Sequence, residues 1–413
     1  MEMQATGFVE EMNWNGYRLS QKPIAIYDLN SLPRYYDFIA LDTENSPIGT
    51  LRVNATKEHS TSIKGIYTYT FNYGESLSKS TVSNPSLFID WKGDEYVGIK
   101  SKAGEVPQQM VSAHTGEKIL QTDVRELKGE EIIELMSNNL FNSLLPKDNN
   151  SFGNIPEHLL ADEEIKEEIE FSKTITIGMV RDSMNVALIQ SEKEAKAFWE
   201  EMASIEPEVM VLTEDEINAD SKFFGHLKRI FRRVFSKTDT SLITIDKYDR
   251  RKEEYRRGGW CGPWVCGYIL FVNQGVDKYT FFEKSASTEG ELGVLNFALR
   301  LFGRPMTPVE MSRSMPVASN GRIWINPSLH FRDMYAYDQI KYHKKPVIRL
   351  CGVNGGLHWT LAYGARQTGN WLWRNYYFLQ IDNGAKVGVP GNKGDGRNYT
   401  SVDWWNPWLM VWD

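Results

Sequence analysis

Residues 354–384, NGGLHWTLAYGARQTGNWLWRNYYFLQIDNG, constrain the fold more than any other stretch of the chain. Two β-prone runs, HWTLAYGA and RNYYFLQID, flank a Thr368-Gly369-Asn370 turn signal, the pattern of an antiparallel hairpin. Centring the turn on residue 370 sets His358, early in one strand, opposite Asp382, at the end of the other. Without a bulge, directly opposed residues hold their Cβ atoms ~5 Å apart on one face. A one-residue slip brings in Asn383 instead, with its side chain on the other face. Either side chain is able to fix the tautomer and orientation of an imidazole. His358 is therefore a candidate general base, with Asp382 or Asn383 as its orienter.

A nucleophile for that base stands a hundred residues upstream, in RRGGWCGPWVCGYIL (256–270). The Trp-Cys-Gly-Pro run invites a thiol–disulfide reading, which needs a second cysteine three positions after the first. Here it is Cys266, five positions on; in a helix, five residues at about 100° each put the two thiols on different faces. Gly258-Gly259 instead reads as a turn that places Cys261 at the start of an apolar helix. The unpaired N–H groups and the dipole of a helix N-terminus favour a thiolate there. Pro263 suits the first turn, where no N–H is required of it. Cys266, deeper in the apolar run, is expected to be a small core residue.

Of the seven histidines, only His358 sits in such a constellation. The three cysteines, Cys261, Cys266 and Cys351, exclude a disulfide scaffold, and no Cys/His set has the paired spacing of a zinc site. No metal or organic cofactor is expected. A net charge of −7 argues against nucleic acid as the main partner. No apolar run approaches the roughly 18–20 residues of a membrane span.

Upstream, the first 125 residues read as strands and turns. IAIYDLN is followed by YYDFIALDTENSPIGTLRVNA (35–55), two alternating runs about a polar turn. GIYTYTFNYG continues the pattern, and SLFIDWKGDEYVGIKSK (86–102) is a hairpin about Lys92-Gly93-Asp94. KGEEIIELMSNNLFNSLL (128–145) has helical spacing, and 157–205 is rich in Glu and Lys and partly helical. A basic amphipathic segment, FFGHLKRIFRRVFSK (223–237), and a charge run, DKYDRRKEEYRR (246–257), read as solvated faces or as a connector open to cleavage. The expected organisation is a β-rich region over 1–150, a charged helical connection over 151–240, and a C-terminal domain over 241–413.

On GGWCGPWVCGYI, GGLHWTLAYGA and YYFLQIDNG, in the order Cys, His, Asp/Asn, the C-terminal domain resembles papain-like cysteine peptidases, in particular the compact bacterial staphopain and streptopain kind. The resemblance spans roughly 258–384. It implies an α+β fold: a helical lobe led by the Cys261 helix, packed on a twisted antiparallel sheet that carries His358. It implies Cys261 as nucleophile, His358 as base and acid, and Asp382 or Asn383 as orienter. It implies a protein or peptide substrate and a secreted or cell-envelope location. The strand-rich N-terminal region resembles the propeptides of such enzymes, which makes the chain a proenzyme; an independent β-rich binding domain is the alternative. One feature departs from the family. The Gln it carries six residues before the nucleophile, a donor to the oxyanion, is Tyr255 here. The same triad serves cell-wall amidases and transglutaminase-like acyl transferases, and an inert site on this fold gives a noncatalytic binding protein. The tryptophans of DWWNPWLMVW (403–412) are expected in the core or walling the cleft.

Overall fold

The computed structural model describes residues 17–71, 73–113, 115–121, 124–144, 176–209, 242–248, 261–274, 308–319, 321–326, 329–353, 356–369, 374–381, 397–401 and 406–412. Strands β1 (Arg18–Leu19), β2 (Ile24–Tyr27), β3 (Pro33–Leu41), β4 (Pro47–Asn54) and β5 (Ile63–Tyr67) precede the short helix α1 (Tyr73–Ser78). Then come β6 (Ser86–Ile89), β7 (Glu95–Ile99), β8 (Gln108–Ser112) and two longer helices, α2 (Glu130–Leu144) and α3 (Ile177–Val209). The C-terminal part holds β9 (Ile243–Thr244), α4 (Cys261–Gln274), α5 (Pro308–Ser319), β10 (Trp324–Ile325) and α6 (Asp333–Asp338). It closes with β11 (Val347–Val353), β12 (Gly356–Gly369), β13 (Arg374–Ile381), β14 (Arg397–Ser401) and β15 (Trp408–Trp412). The fold is mixed α+β. Among the described residues no helix is long and apolar enough to cross a membrane.

Local chemistry sets the N-terminal turns. Between β3 and β4, one oxygen of Asp42 accepts from the N–H groups of Glu44 (2.9 Å) and Ser46 (2.8 Å), and Asn45 takes the left-handed conformation. Between β6 and β7, Asp90 caps the N–H groups of Lys92 and Asp94 (both 2.9 Å), and Gly93 supplies a φ of 99°. Both hairpins are those the alternation predicts. The GIYTYTFNYG run behaves differently: β5 ends at Tyr67 and α1 begins at Tyr73. The rings of Tyr67, Tyr69, Phe71 and Tyr73 contact one another in series instead of alternating across a ladder. Tyr35, Tyr67 and Phe71 surround the Arg52 guanidinium, which bonds both oxygens of the fully buried Asp37 at 2.9 Å. A buried ion pair needs that many partners to offset its lost hydration.

The strands form one hydrogen-bonded path, β10-β15-β11-β12-β13-β14-β5-β4-β3-β2-β6-β7-β8, with β1 added on β3 and β9 on β12. It crosses from the C-terminal strands to the N-terminal ones at β14 and β5, where Asn398 pairs with Tyr67, Tyr399 with Ile66 and Thr400 with Gly65. Helix α2 packs on α3, with Ile132, Ile133 and Met136 of one and Val180, Met184 and Ala187 of the other buried at helical spacing. Those side chains, Leu51, Val53 and Ile66 of the N-terminal strands, and Val347, Leu361, Phe378 and Val411 of the C-terminal ones belong to one continuous apolar core.

Candidate active site

Cys261 is the first residue of α4. Its sequence explains the burial of the middle of the helix: Val265, Cys266, Tyr268, Ile269 and Leu270 are all within 1% of full burial, an apolar run that presents no solvated face there. Cys261 is itself buried, at 7% exposure, on the turn whose N–H groups lack intrahelical partners. Cys261 and Cys266 are both free thiols. Burial pushes the Cys266 thiol far above its ordinary value, which keeps it neutral and inert. It is the core residue that its place in the apolar run predicts.

His358 is the third residue of β12, and α4 packs against that strand. A set of hydrogen bonds fixes the two elements relative to each other. The Tyr268 hydroxyl donates to the carbonyl of Tyr248, and the Asn273 amide donates to the Tyr248 hydroxyl (2.6 Å) and to the Ile269 carbonyl (2.8 Å). Lys247 donates to the other end of that amide at 2.6 Å. Residues 247 and 248 lie three and four positions after the end of β9, whose Thr244 and Ile243 pair with Gly364 and Ala365 of β12, and the Ile245 N–H donates to the Tyr363 carbonyl at 2.9 Å. The helix that starts at Cys261 is thus clamped through Tyr248 to the strand that carries His358. The signal in the sequence was faint: DKYDRRKEEYRR reads as a charge run, and it is Lys247 and Tyr248 near its start that make this anchor.

The hairpin of β12 and β13 forms as predicted, in a different register. Leu361 pairs with Ile381, two positions further along β13 than a turn centred on residue 370 gives it. A bulge between Ala362 and Gly364 shifts the ladder once more. A Cβ on Gly364 would stand 3.0 Å from the Leu379 side chain and 3.3 Å from the Ile243 carbonyl, so the bulge sits where β9 and β13 both close on the strand. Leu361–Ile381 is the last described pair; Asp382 and Asn383 lie outside the described residues. On its other side β12 pairs with β11, His358 opposite Cys351 and Thr360 opposite Arg349.

Alternation puts Thr360 on the same face of β12 as His358. The Thr360 hydroxyl donates to Oε1 of Gln380 (2.8 Å), and Nε2 of Gln380 donates to the Thr400 hydroxyl (2.6 Å). All three side chains are buried, Gln380 completely. A polar chain therefore crosses β12, β13 and β14 next to the histidine position, and a glutamine and two threonines within β-prone runs gave no sequence signal for it. Trp408, from the aromatic C-terminal stretch, is fully buried and donates through Nε1 to Asp333 at 3.0 Å, a core position. Among the described residues no group of three or more His, Cys, Asp or Glu is placed to hold a metal ion. Compared with known proteins, the chain matches no family model, no curated protein and no solved structure.

Proposed function

We propose that this chain is a cysteine peptidase that hydrolyses peptide bonds, with a papain-like arrangement in its C-terminal part. The observation that carries the reading is the placement of Cys261 as the first residue of an apolar helix clamped to the strand of His358. In this reaction His358 takes the Cys261 proton, and the thiolate sulfur attacks the substrate carbonyl carbon. The tetrahedral oxyanion collapses to an acyl-thioester as the C–N bond breaks, and His358 returns the proton to the leaving amine. Water, deprotonated by His358, then releases the acid and restores the thiol. Asp382 or Asn383 orients the imidazole, and the Cys261 N–H is one oxyanion donor. Cleavage in the basic connecting region converts a proenzyme to its working form, and a secreted or cell-envelope location suits such an enzyme. The same steps serve a cell-wall amidase or an acyl transferase, in which the amide or the acceptor differs.

One observation favours a second reading, a noncatalytic binding protein: Tyr255 stands where the family places its glutamine donor, and losing one oxyanion donor costs about 10²–10³ in rate. Intact-mass labelling of the full chain with an epoxide inhibitor of cysteine peptidases separates the two. The peptidase reading expects a single adduct, absent in Cys261→Ala. Labelling no faster than that of a free thiol makes the binding protein the better description.

A further inference from the structure

We infer that the N-terminal β-rich body is a permanent structural partner of the C-terminal part, so that a cut in the connecting chain yields a two-chain molecule and releases nothing. This refines the proenzyme reading and holds whether or not Cys261 is a nucleophile. The seam between the two parts is built like an interior. At its centre β5 and β14 exchange ladder hydrogen bonds over Gly65–Tyr67 and Asn398–Thr400. Gly65 is required for this closeness: a Cβ there would stand 2.9 Å from Cγ2 of Thr400.

Beside the ladder the two parts interlock through side chains. The Ser60 hydroxyl donates to Oδ1 of Asn375, and Nδ2 of Asn375 donates back to the Ser60 carbonyl, both at 2.5 Å. The Thr61 and Tyr377 hydroxyls share a hydrogen bond of 2.5 Å. Thr61, Asn375, Tyr377 and Thr400 are each under 9% exposed, so these groups are enclosed within the seam. The indole of Trp199 on α3 donates to the His59 carbonyl (2.8 Å), which holds that helix over the same stretch of chain. Behind the seam the apolar core is continuous from Leu51, Ile63 and Ile66 to Leu361, Leu379 and Ile381.

Separation would open β14 as an unpaired edge and expose the apolar core behind the bonds of Asn375 and Tyr377 to water. An inhibitory segment that departs on activation leaves a finished surface behind it; this one would leave a cut core. Every ladder pair and side-chain bond that crosses the seam joins residues on opposite sides of the path between Val209 and Leu242, whereas Trp199 and His59 both precede it and keep α3 on the N-terminal side. Obligate subunit interfaces have this character: an apolar centre packed like an interior, with hydrogen bonds across it.

The test uses the full chain with a site-specific protease recognition sequence inserted between Val209 and Leu242, cleaved to completion as judged on a denaturing gel. Size exclusion and native mass spectrometry at ~1 µM are expected to show one particle of unchanged total mass. Two separately eluting fragments overturn the proposal. Gly65→Val in the cleaved chain is expected to raise the dissociation constant at least about tenfold. If that variant does not fold, Thr61→Val, which removes the bond to Tyr377 at near-constant volume, is expected to weaken the complex in the same direction. Association unaltered by either change also overturns the proposal, since the seam would then not be what holds the parts together.

Discussion

Cys261 and Cys266 show how far five residues of one helix separate two thiols. The second is enclosed by apolar side chains, and its burial suppresses ionisation. The first stands at the helix N-terminus, on the turn whose N–H groups lack intrahelical partners. Apolar spacing in the sequence made both assignments legible, because helix position follows from local pattern alone. Asp333 was not legible in this way. Nothing around DMYAYD announces that its carboxylate is enclosed beside Trp408, a residue 75 positions away. Burial is the largest influence and, against the lowering effect of the Trp408 hydrogen bond and with Glu194 opposing Arg349 and Lys64, pushes that carboxyl up to about 7. A folded value raised above 3.8 means a stabilising contribution fully present below the unfolded value and lost as pH rises through about 7. Asp333→Asn keeps an acceptor for the indole and removes the charge. Its melting temperature, relative to the native chain, is expected to rise by several degrees between about pH 5 and about pH 8, followed by circular dichroism. A gap that stays constant with pH contradicts the buried-carboxyl assignment.

At the scale of elements, the hairpin that carries His358 was legible and its register was not. Alternation and a turn signal are local, whereas the bulge at Ala362/Gly364 depends on β9, more than a hundred residues earlier, closing on Gly364. The same division holds for the run before α1: its aromatics are legible as β-prone, but that Tyr67 and Phe71 lie against the Arg52 guanidinium of β4 is not. The Thr360–Gln380–Thr400 chain stiffens the three strands next to the histidine, and its energetics have a distinctive signature. Gln380→Leu leaves two buried hydroxyls without partners and is expected to cost about 1–3 kcal/mol in urea unfolding. Adding Thr360→Val and Thr400→Val removes the stranded groups as well, so the triple variant is expected to cost less than the sum of the three single changes. Strict additivity would mean that the three side chains do not act as one network.

At the scale of the whole molecule, the sequence divides by composition near residue 240, while the sheet runs across that division through β5 and β14. Composition does not reveal such pairings: GIY and NYT are unremarkable segments, and only the folded chain brings residue 65 to residue 400. The strand path therefore makes the N-terminal body part of the scaffold that supports β12 and, with it, His358. The central claim, that Cys261 and His358 work as a pair, is tested most directly by the rate at which Cys261 is alkylated near pH 6 in the native chain and in His358→Ala. An ion pair predicts alkylation in the native chain faster by about tenfold or more, since imidazolium sustains the thiolate where an isolated thiol is protonated. Equal rates in the two proteins would contradict the pairing and leave Cys261 a buried thiol at the end of a core helix.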